Sequence, residues 1–137
     1  MALKSKDYKK WMGVKARLQE NAVNEDYRNS YREGDIYWVS IGENVGYEED
    51  GKGDLYLRPV LVLSGRTKTL FLGVPLSSKQ KYGKWYYQFS LPRQDFPSTA
   101  MLNQAQTIDT ARIVGKRVAC VEKRDLIILK ALFRDSI

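Results

Sequence analysis

Residues 42–77 read GENVGYEEDGKGDLYLRPVLVLSGRTKTLFLGVPLS, and this stretch decides the fold. It contains two near-continuous apolar runs, Val60–Leu63 and Leu70–Leu76. Such runs are typical of strands that are covered on both sides or closed into a barrel. Residues 65–68, a glycine followed by polar side chains, form the hairpin connection between them. The stretch therefore predicts two strands at the centre of a buried sheet.

A glycine- and acid-rich loop, residues 46–54, precedes the first of these strands and leads to Arg58. A hydroxyl pair, Ser77 and Ser78, follows the second strand. The guanidinium of arginine is planar, permanently charged and matched to two phosphate oxygens. The pattern predicts a loop that delivers one arginine to the mouth of the sheet, beside a hydroxyl, which suits the handling of a phosphate.

The N-terminal part of the chain predicts a helix over residues 5–22, capped by Ser5 or Asp7. We expect Trp11 to dock this helix on the domain while its lysines are solvated; a basic arm that touches RNA is the alternative. Residues 21–33 are a polar linker. The chain thus divides into a helix with its linker, residues 1–33, and a domain, residues 34–137.

Short strand-like stretches and one helical stretch complete the domain. The strands are predicted at residues 35–41, 84–91, 98–108 and 111–121, and the helix at residues 122–135. Several short strands, tight turns and a terminal helix favour a small, curved antiparallel barrel over a parallel sheet. The predicted fold is mainly β with flanking helices, an α+β arrangement with an added N-terminal and a C-terminal helix.

The composition limits the possible functions. The chain of 137 residues has 23 Lys and Arg against 16 Asp and Glu, a formal charge of +7, which favours polyanion partners and nucleic acid before membrane. It contains no histidine, which excludes a Ser-His-Asp triad, a paired-histidine ribonuclease mechanism and histidine metal ligation. Acid–base chemistry must therefore come from carboxylates, Lys, Tyr, Arg or hydroxyls.

The single cysteine, Cys120, excludes an internal disulfide and a multi-cysteine metal site. Its apolar neighbours predict that it is a small, buried core residue. No stretch is apolar enough to span a membrane or insert into one, and the N-terminus is no secretory signal, so a cytoplasmic protein is the default.

The order of these signals resembles the MazF/PemK family of toxin ribonucleases from bacterial toxin–antitoxin pairs. The resemblance covers roughly residues 33–135. The segments that carry it are GDIYWV (34–39), GYE (46–48), RPVLVL (58–63), VPLSS (74–78), QTID preceded by Gln104 (106–109) and GKR (115–117).

The resemblance implies an SH3-like curved barrel and a homodimer. It also implies a cognate antitoxin, together with which the protein binds DNA, and cleavage of single-stranded RNA without a metal or other cofactor. Arg58 takes the position of the family's essential arginine, and Ser77 that of its functional threonine. Glu48 stands where the family commonly has a loop glutamate, and Gln104 matches a strand glutamine that lines the groove.

The chain also departs from the family. The loop between Glu48 and Arg58 is longer than in the best-known members. One branch uses an arginine and an aspartate as catalytic partners where this chain has Met101 and Asn103, and a histidine where it has Tyr47. The mechanism built on that arginine–aspartate pair therefore cannot be carried over.

Cleavage of RNA by its own 2′-hydroxyl needs a base, a cation for the crowded phosphorane and a donor for the leaving oxygen. We predict that Arg58 stabilises the phosphorane, Ser77 adds a hydrogen bond and Glu48 is the base. The residues predicted to bind RNA are Tyr47, Ser78, Lys79, Lys81, Tyr82, Lys84, Asn103 and Gln104.

Other interpretations stay open at this point. Arg58 could form a structural salt bridge with Glu48 or Asp54, the acidic loop could be merely solvated or hold a metal, and the basic loop at residues 79–84 could be a plain turn. At the level of function, the alternatives are a non-catalytic toxin of the same fold that poisons a DNA-handling enzyme such as gyrase by protein contact, and a plain nucleic-acid-binding module.

Overall fold

The computed structural model describes residues 3–24, 30–92 and 98–137. It contains two α-helices, seven strands and short 3-10 turns, which confirms a mainly β fold with flanking helices. In chain order the elements are α1 (Tyr8–Val23), β1 (Asp35–Ser40), β2 (Leu57–Gly65), β3 (Leu70–Ser77), β4 (Tyr86–Phe89), β5 (Ser98–Met101), β6 (Gln106–Asp109), β7 (Ile113–Cys120) and α2 (Lys123–Asp135). The polar linker predicted for residues 21–33 lies partly outside the described residues.

The strands pair antiparallel in the order β4-β5-β3-β2-β1-β7, and β6 also pairs with β3. Strand β3 is shared: β6 pairs with Leu70–Gly73, and β5 with Leu76 and Ser77. The register shifts within the β1–β7 and β2–β3 pairs, and such irregularities bend and twist a sheet. Over the described strands the sheet is curved but open, so the predicted barrel does not close.

The apolar run of β2 is explained by two core clusters, one on each face of the sheet. Leu61 and Leu63 belong to the cluster that Leu129 of α2 covers, whereas Val60 and Val62 belong to the cluster around Phe71. Successive strand side chains point to opposite faces, so a strand covered on both sides must be apolar at every position. Arg58 lies at the start of β2, just before this buried run begins.

The predicted docking of the N-terminal helix is confirmed, but its lysines are not all solvated, since Lys6 and Lys10 pair with Asp50 and Asp54. Asp7 caps α1 by accepting a hydrogen bond from the backbone N–H of Lys9, at 3.0 Å. Trp11 is 5% exposed and packs edge-to-face on Tyr56, with 5.4 Å between the ring centroids. None of the helices in the described ranges is long and apolar enough to cross a membrane.

Two predictions about the domain need correction. The strand predicted for residues 98–108 is interrupted by the 3-10 turn Leu102–Gln104, so Gln104 lies on a turn and not on a strand. Cys120 is exposed, because β7 is an outer strand of the sheet and most of its residues face solvent. The prediction that Cys120 is a core residue was therefore wrong.

Candidate functional site

Arg58 is held on three sides at the entrance to β2. Its Nε donates to the carbonyl of Asp50 at 2.8 Å and its Nη1 to the carbonyl of Leu76 at 3.2 Å. Its Nη2 lies 2.8 Å from Oε1 of Glu49. The Arg58 side chain is only 11% exposed and that of Glu49 21%, so water screens this ion pair weakly. The acid that pairs with Arg58 is thus Glu49, and neither Glu48 nor Asp54.

An open cleft of about 670 Å³ lies in front of Arg58. Ser77, Ser78 and Lys52 line it together with apolar side chains, among them Trp38. A guanidinium has five N–H donors, and the described residues engage three of them. Two donors of Arg58 therefore have no partner among the described residues and are left for an anion that reaches this side chain in the cleft.

Ser77 ends β3 beside this arginine. Its Oγ accepts a hydrogen bond from the backbone N–H of Lys79 at 3.1 Å, which leaves the hydroxyl proton available as a donor. The carbonyl of Lys79 in turn accepts from Oγ1 of Thr99 at 2.9 Å. The end of β3 is therefore anchored, and the hydroxyl faces the cleft from a fixed backbone.

A second cleft, of about 480 Å³, lies on the other side of the acidic loop and gathers Tyr47, Glu48, Asn103 and Gln104. Gln104 fixes the loop, since its Nε2 donates to the carbonyl of Tyr47 and its Oε1 accepts from the backbone N–H of Glu49, both at 3.1 Å. Glu48 is exposed and accepts from the backbone N–H of Val45 at 2.9 Å.

The structure thus divides the predicted site residues between two clefts. Arg58, Ser77 and Ser78 line the first, while Glu48 and the residues around Gln104 line the second. The Arg58–Glu49 ion pair joins them, because Arg58 lines the first cleft and Glu49 lines the second.

The predicted basic loop follows directly on Ser78. Tyr82 is 82% exposed, and its hydroxyl donates to Oε1 of Gln80 at 3.1 Å. The ammonium groups of Lys81 and Lys84 lie 5.7 and 4.8 Å from the ring centroids of Tyr86 and Trp85. Binding of RNA by this loop stays a prediction.

Sequence reasoning missed Glu49, Asp50 and Lys6. The Asp50 carboxylate accepts from the backbone N–H of Asn44 at 2.6 Å and pairs with Lys6 at 2.7 Å. The hydrogen bond to Asp50 raises the pKa of Lys6 above its ordinary value of 10.5. The consecutive acids Glu48, Glu49 and Asp50 were a signal that the loop matters, but not of which acid faces Arg58.

A metal-binding loop finds no support in the part of the chain that the structure describes. There, no group of three or more Cys, Asp or Glu side chains is arranged to hold a metal ion.

Comparison with known proteins agrees with this architecture. The model of the PemK-like, MazF-like toxins of type II toxin–antitoxin systems matches residues 32–137. A search of curated protein sequences found no match.

Solved structures with the same fold include MazF proteins and a complex of an endoribonuclease with its antitoxin. MazF from Deinococcus radiodurans is 17% identical with a TM-score of 0.64, and the alignment covers 79% of this chain and 96% of that one. An endoribonuclease in complex with its cognate antitoxin from a mycobacterial species is 12% identical, with a TM-score of 0.59 and coverage of 78% and 94%. The Mycobacterium tuberculosis toxin MazF-mt6 is 14% identical, with a TM-score of 0.55 and coverage of 74% and 93%.

Proposed function

We propose that this chain, which belongs to the PemK-like and MazF-like toxins of type II toxin–antitoxin systems, is an endoribonuclease that cleaves single-stranded RNA without a metal ion. The observation that carries the proposal is the position of Arg58. The carbonyls of Asp50 and Leu76 hold its guanidinium, and it lines an open cleft together with Ser77. The basic loop that continues from Ser78 supplies charge for the RNA backbone and exposed aromatic surface for a base.

In this mechanism the 2′-hydroxyl of the substrate loses its proton to a base and attacks the adjacent phosphorus. The bond to the 5′ oxygen breaks, that oxygen takes a proton from water, and the products end in a 2′,3′-cyclic phosphate and a 5′-hydroxyl. The remaining N–H donors of Arg58 bind the non-bridging oxygens, which gain charge as the phosphorane forms. Because arginine is permanently protonated, its contribution is electrostatic, and the Ser77 hydroxyl adds a hydrogen bond to the same phosphate.

For the base we favour Glu49 over Glu48, which the sequence predicted. Both acids line the second cleft, but Glu49 is the carboxylate that touches Arg58, at 2.8 Å, whereas Glu48 accepts from the backbone N–H of Val45. A base must lie within reach of the proton that it removes while the arginine holds the phosphate. We propose that Asn103 and Gln104 contact RNA only as part of the second cleft, with Gln104 also supporting the loop.

A cognate antitoxin and a homodimer complete the proposal. The family is defined by toxin–antitoxin pairing, and relatives of the same fold are MazE–MazF complexes from Deinococcus radiodurans. Trp38 and Val118, on the apolar wall of the first cleft, are 42% and 46% exposed. An acidic antitoxin segment that lay along this wall would deny RNA access to Arg58.

The test is cleavage of a single-stranded RNA by the purified protein in EDTA, with mapping of the new ends. We expect cleavage, and no cleavage of the same sequence as DNA, because the nucleophile is then missing. We expect Arg58→Ala to bind RNA but to cut it at least about 100-fold more slowly. Arg124→Ala, which removes an equal charge from a side chain that is 78% exposed, should cut normally.

Three results would contradict the proposal in different ways. Normal cleavage by Arg58→Ala would show that the site is elsewhere, and dependence on a divalent ion would overturn the metal-free mechanism. Growth arrest with intact cellular RNA would favour the non-catalytic toxin that acts by protein contact.

A further inference from the structure

Residues 6–11 contact the acidic loop at several points. They lie outside residues 32–137, the part of the chain that matches the family. The Lys6 ammonium donates to the carbonyl of Asn44 at 2.6 Å and pairs with Asp50 at 2.7 Å. The Tyr8 hydroxyl donates to the same carbonyl at 2.9 Å, and Lys10 pairs with Asp54 at 2.6 Å. The contacts are spread over the loop from Asn44 to Asp54.

Trp11 anchors this segment at both ends of the loop. Its ring packs on Tyr56, just after the loop, with 5.4 Å between the centroids. It also lies against Gly42, just before the loop, where a Cβ would come within 2.2 Å of the ring. Because Trp11 is 5% exposed, this contact is part of the packed interior.

A short chain of contacts runs from Lys6 to Arg58 through Asp50. The two carboxylate oxygens of Asp50 bind Lys6 and the backbone N–H of Asn44, and its carbonyl accepts from Nε of Arg58 at 2.8 Å. Glu49 precedes Asp50 and pairs with the same guanidinium. Lys6 therefore fixes the residue whose backbone orients Arg58.

We infer that residues 6–11 form a clamp on the loop and that Lys6 is a positioning residue for Arg58 and Glu49. The catalytic consequence rests on the proposed function, whereas the physical coupling of Lys6 to Arg58 does not. A donor that is held in place before the substrate arrives does not need to reorganise during the reaction. Loss of the clamp leaves Asp50 less firmly held, so Nε of Arg58 loses a fixed partner, while Nη1 keeps the carbonyl of Leu76.

The coupling is tested by NMR on the full chain labelled at arginine. The Nε–H signal of Arg58 is assigned as the one missing from Arg58→Ala, and its exchange with water is measured. We expect exchange at least about 10-fold faster in Lys6→Ala, since exchange requires the hydrogen bond to open and weaker local contacts make opening more frequent. Lys6→Arg should restore slow exchange.

Lys9→Ala is the matched control. It removes the same charge from the same segment, and among the described residues the Lys9 side chain has no hydrogen-bond or ion-pair partner. We expect its Arg58 exchange to equal that of the unchanged chain. Equal exchange in Lys6→Ala and Lys9→Ala would overturn the inference, and melting curves of both variants check that each is folded.

RNA cleavage supplies the second readout. We expect Lys6→Ala to lower kcat about 10-fold with KM changed less than about twofold, and to have no further effect in the Arg58→Ala background. If the unchanged chain does not cut RNA while Lys6→Ala still accelerates exchange, the proposed function fails and the clamp stands. If RNA is cut and Lys6→Ala leaves both kcat and exchange unchanged, the clamp fails alone.

Discussion

Arg58 shares its donors between two backbone carbonyls and one carboxylate, so each of these partners has a distinct role at the residue scale. The carbonyls of Asp50 and Leu76 cannot titrate, and they only orient the guanidinium. The carboxylate of Glu49 is the partner that could exchange a proton with a substrate. The two carbonyls therefore serve orientation alone, and the proposed acid–base role can be tested by substitution of Glu49.

Adjacent isosteric substitutions discriminate between the two candidate bases. We expect Glu49→Gln to lower kcat at least about 100-fold, as is typical for loss of a general base. Glu48→Gln should stay within about threefold of the unchanged chain, because the hydrogen bond of the Glu48 side chain among the described residues is to Val45, in its own loop. Single-turnover cleavage of one RNA by both variants measures the effect, and the reverse order of rates would return the role to Glu48.

The common position of Arg58 and Ser77 at one cleft could be predicted, because each stands at the end of a strand that its apolar pattern defines; their role stays a prediction. The sequence could not distinguish Glu48 from Glu49, since an irregular loop has no period that assigns a side chain to a face. The ion pair between Lys6 and Asp50 could not be predicted either, because it joins segments that are distant in sequence.

At the scale of elements, the docking of α1 depends on a glycine at the base of the loop. Gly42 has φ of +87°, a conformation in which side chains are strained, and the Trp11 ring occupies the space of a Cβ. The position therefore couples the backbone of the loop to the packing of the helix.

We expect Gly42→Ala to lower the free energy of unfolding by about 1–3 kcal/mol, the usual effect of overpacking, and to shift tryptophan emission to the red as Trp11 is displaced. Gly13→Ala, on α1 with nothing within 4 Å of a Cβ, should instead raise the free energy of unfolding by about 0.5–1 kcal/mol. Urea titrations followed by fluorescence check both signs; a Gly42→Ala variant as stable as the unchanged chain, with unshifted emission, would show that the Trp11 ring does not occupy this space.

The elements themselves were predictable where burial was uniform. Strands β2 and β3 are covered on both faces, so their apolar runs identified them. The turn Leu102–Gln104 was not predictable, because it begins within the buried pair Met101 and Leu102 and no glycine or proline marks it. The prediction that Cys120 is buried was wrong for a different reason. The residues around it are apolar, but β7 lies at the edge of the sheet and most of its side chains are exposed.

At the scale of the whole molecule, Glu33 connects the C-terminal helix to the central hairpin. Its Oε1 accepts from Lys130 of α2 at 2.5 Å and its Oε2 from the backbone N–H of Gly65 at 2.9 Å. The hydrogen bond from Lys130, followed by that from Gly65, lowers the pKa of Glu33 below its ordinary value of 4.5. The carboxylate is therefore charged more readily in the folded chain than in the unfolded one.

This shift predicts a pH dependence of stability. A lowered folded-state pKa contributes stability above the unfolded pKa, and the contribution is lost as the pH falls through the folded one. We expect the unchanged chain to be more stable than Glu33→Gln at about pH 6, and the difference to vanish towards about pH 3. Urea midpoints at both pH values measure it.

Glu122→Gln is the control, because Glu122 and Arg124 are 3.8 Å apart and both are largely exposed. Its stability should follow that of the unchanged chain at both pH values. A difference for Glu33→Gln that persists unchanged at low pH would mean that packing, and not the charge of Glu33, is responsible.

The position of Lys6 has a practical consequence for anyone who purifies this protein. A fusion placed just before Lys6 would extend from the segment whose contacts secure the guanidinium, and a bulky or charged affinity tag there could alter turnover without touching the cleft. The opposite end is safer, because Ile137 is 93% exposed and follows α2, which packs on the core cluster of Leu61 and Leu63. Rates measured with the tag at either terminus, and after its removal, should therefore be compared before any variant is interpreted.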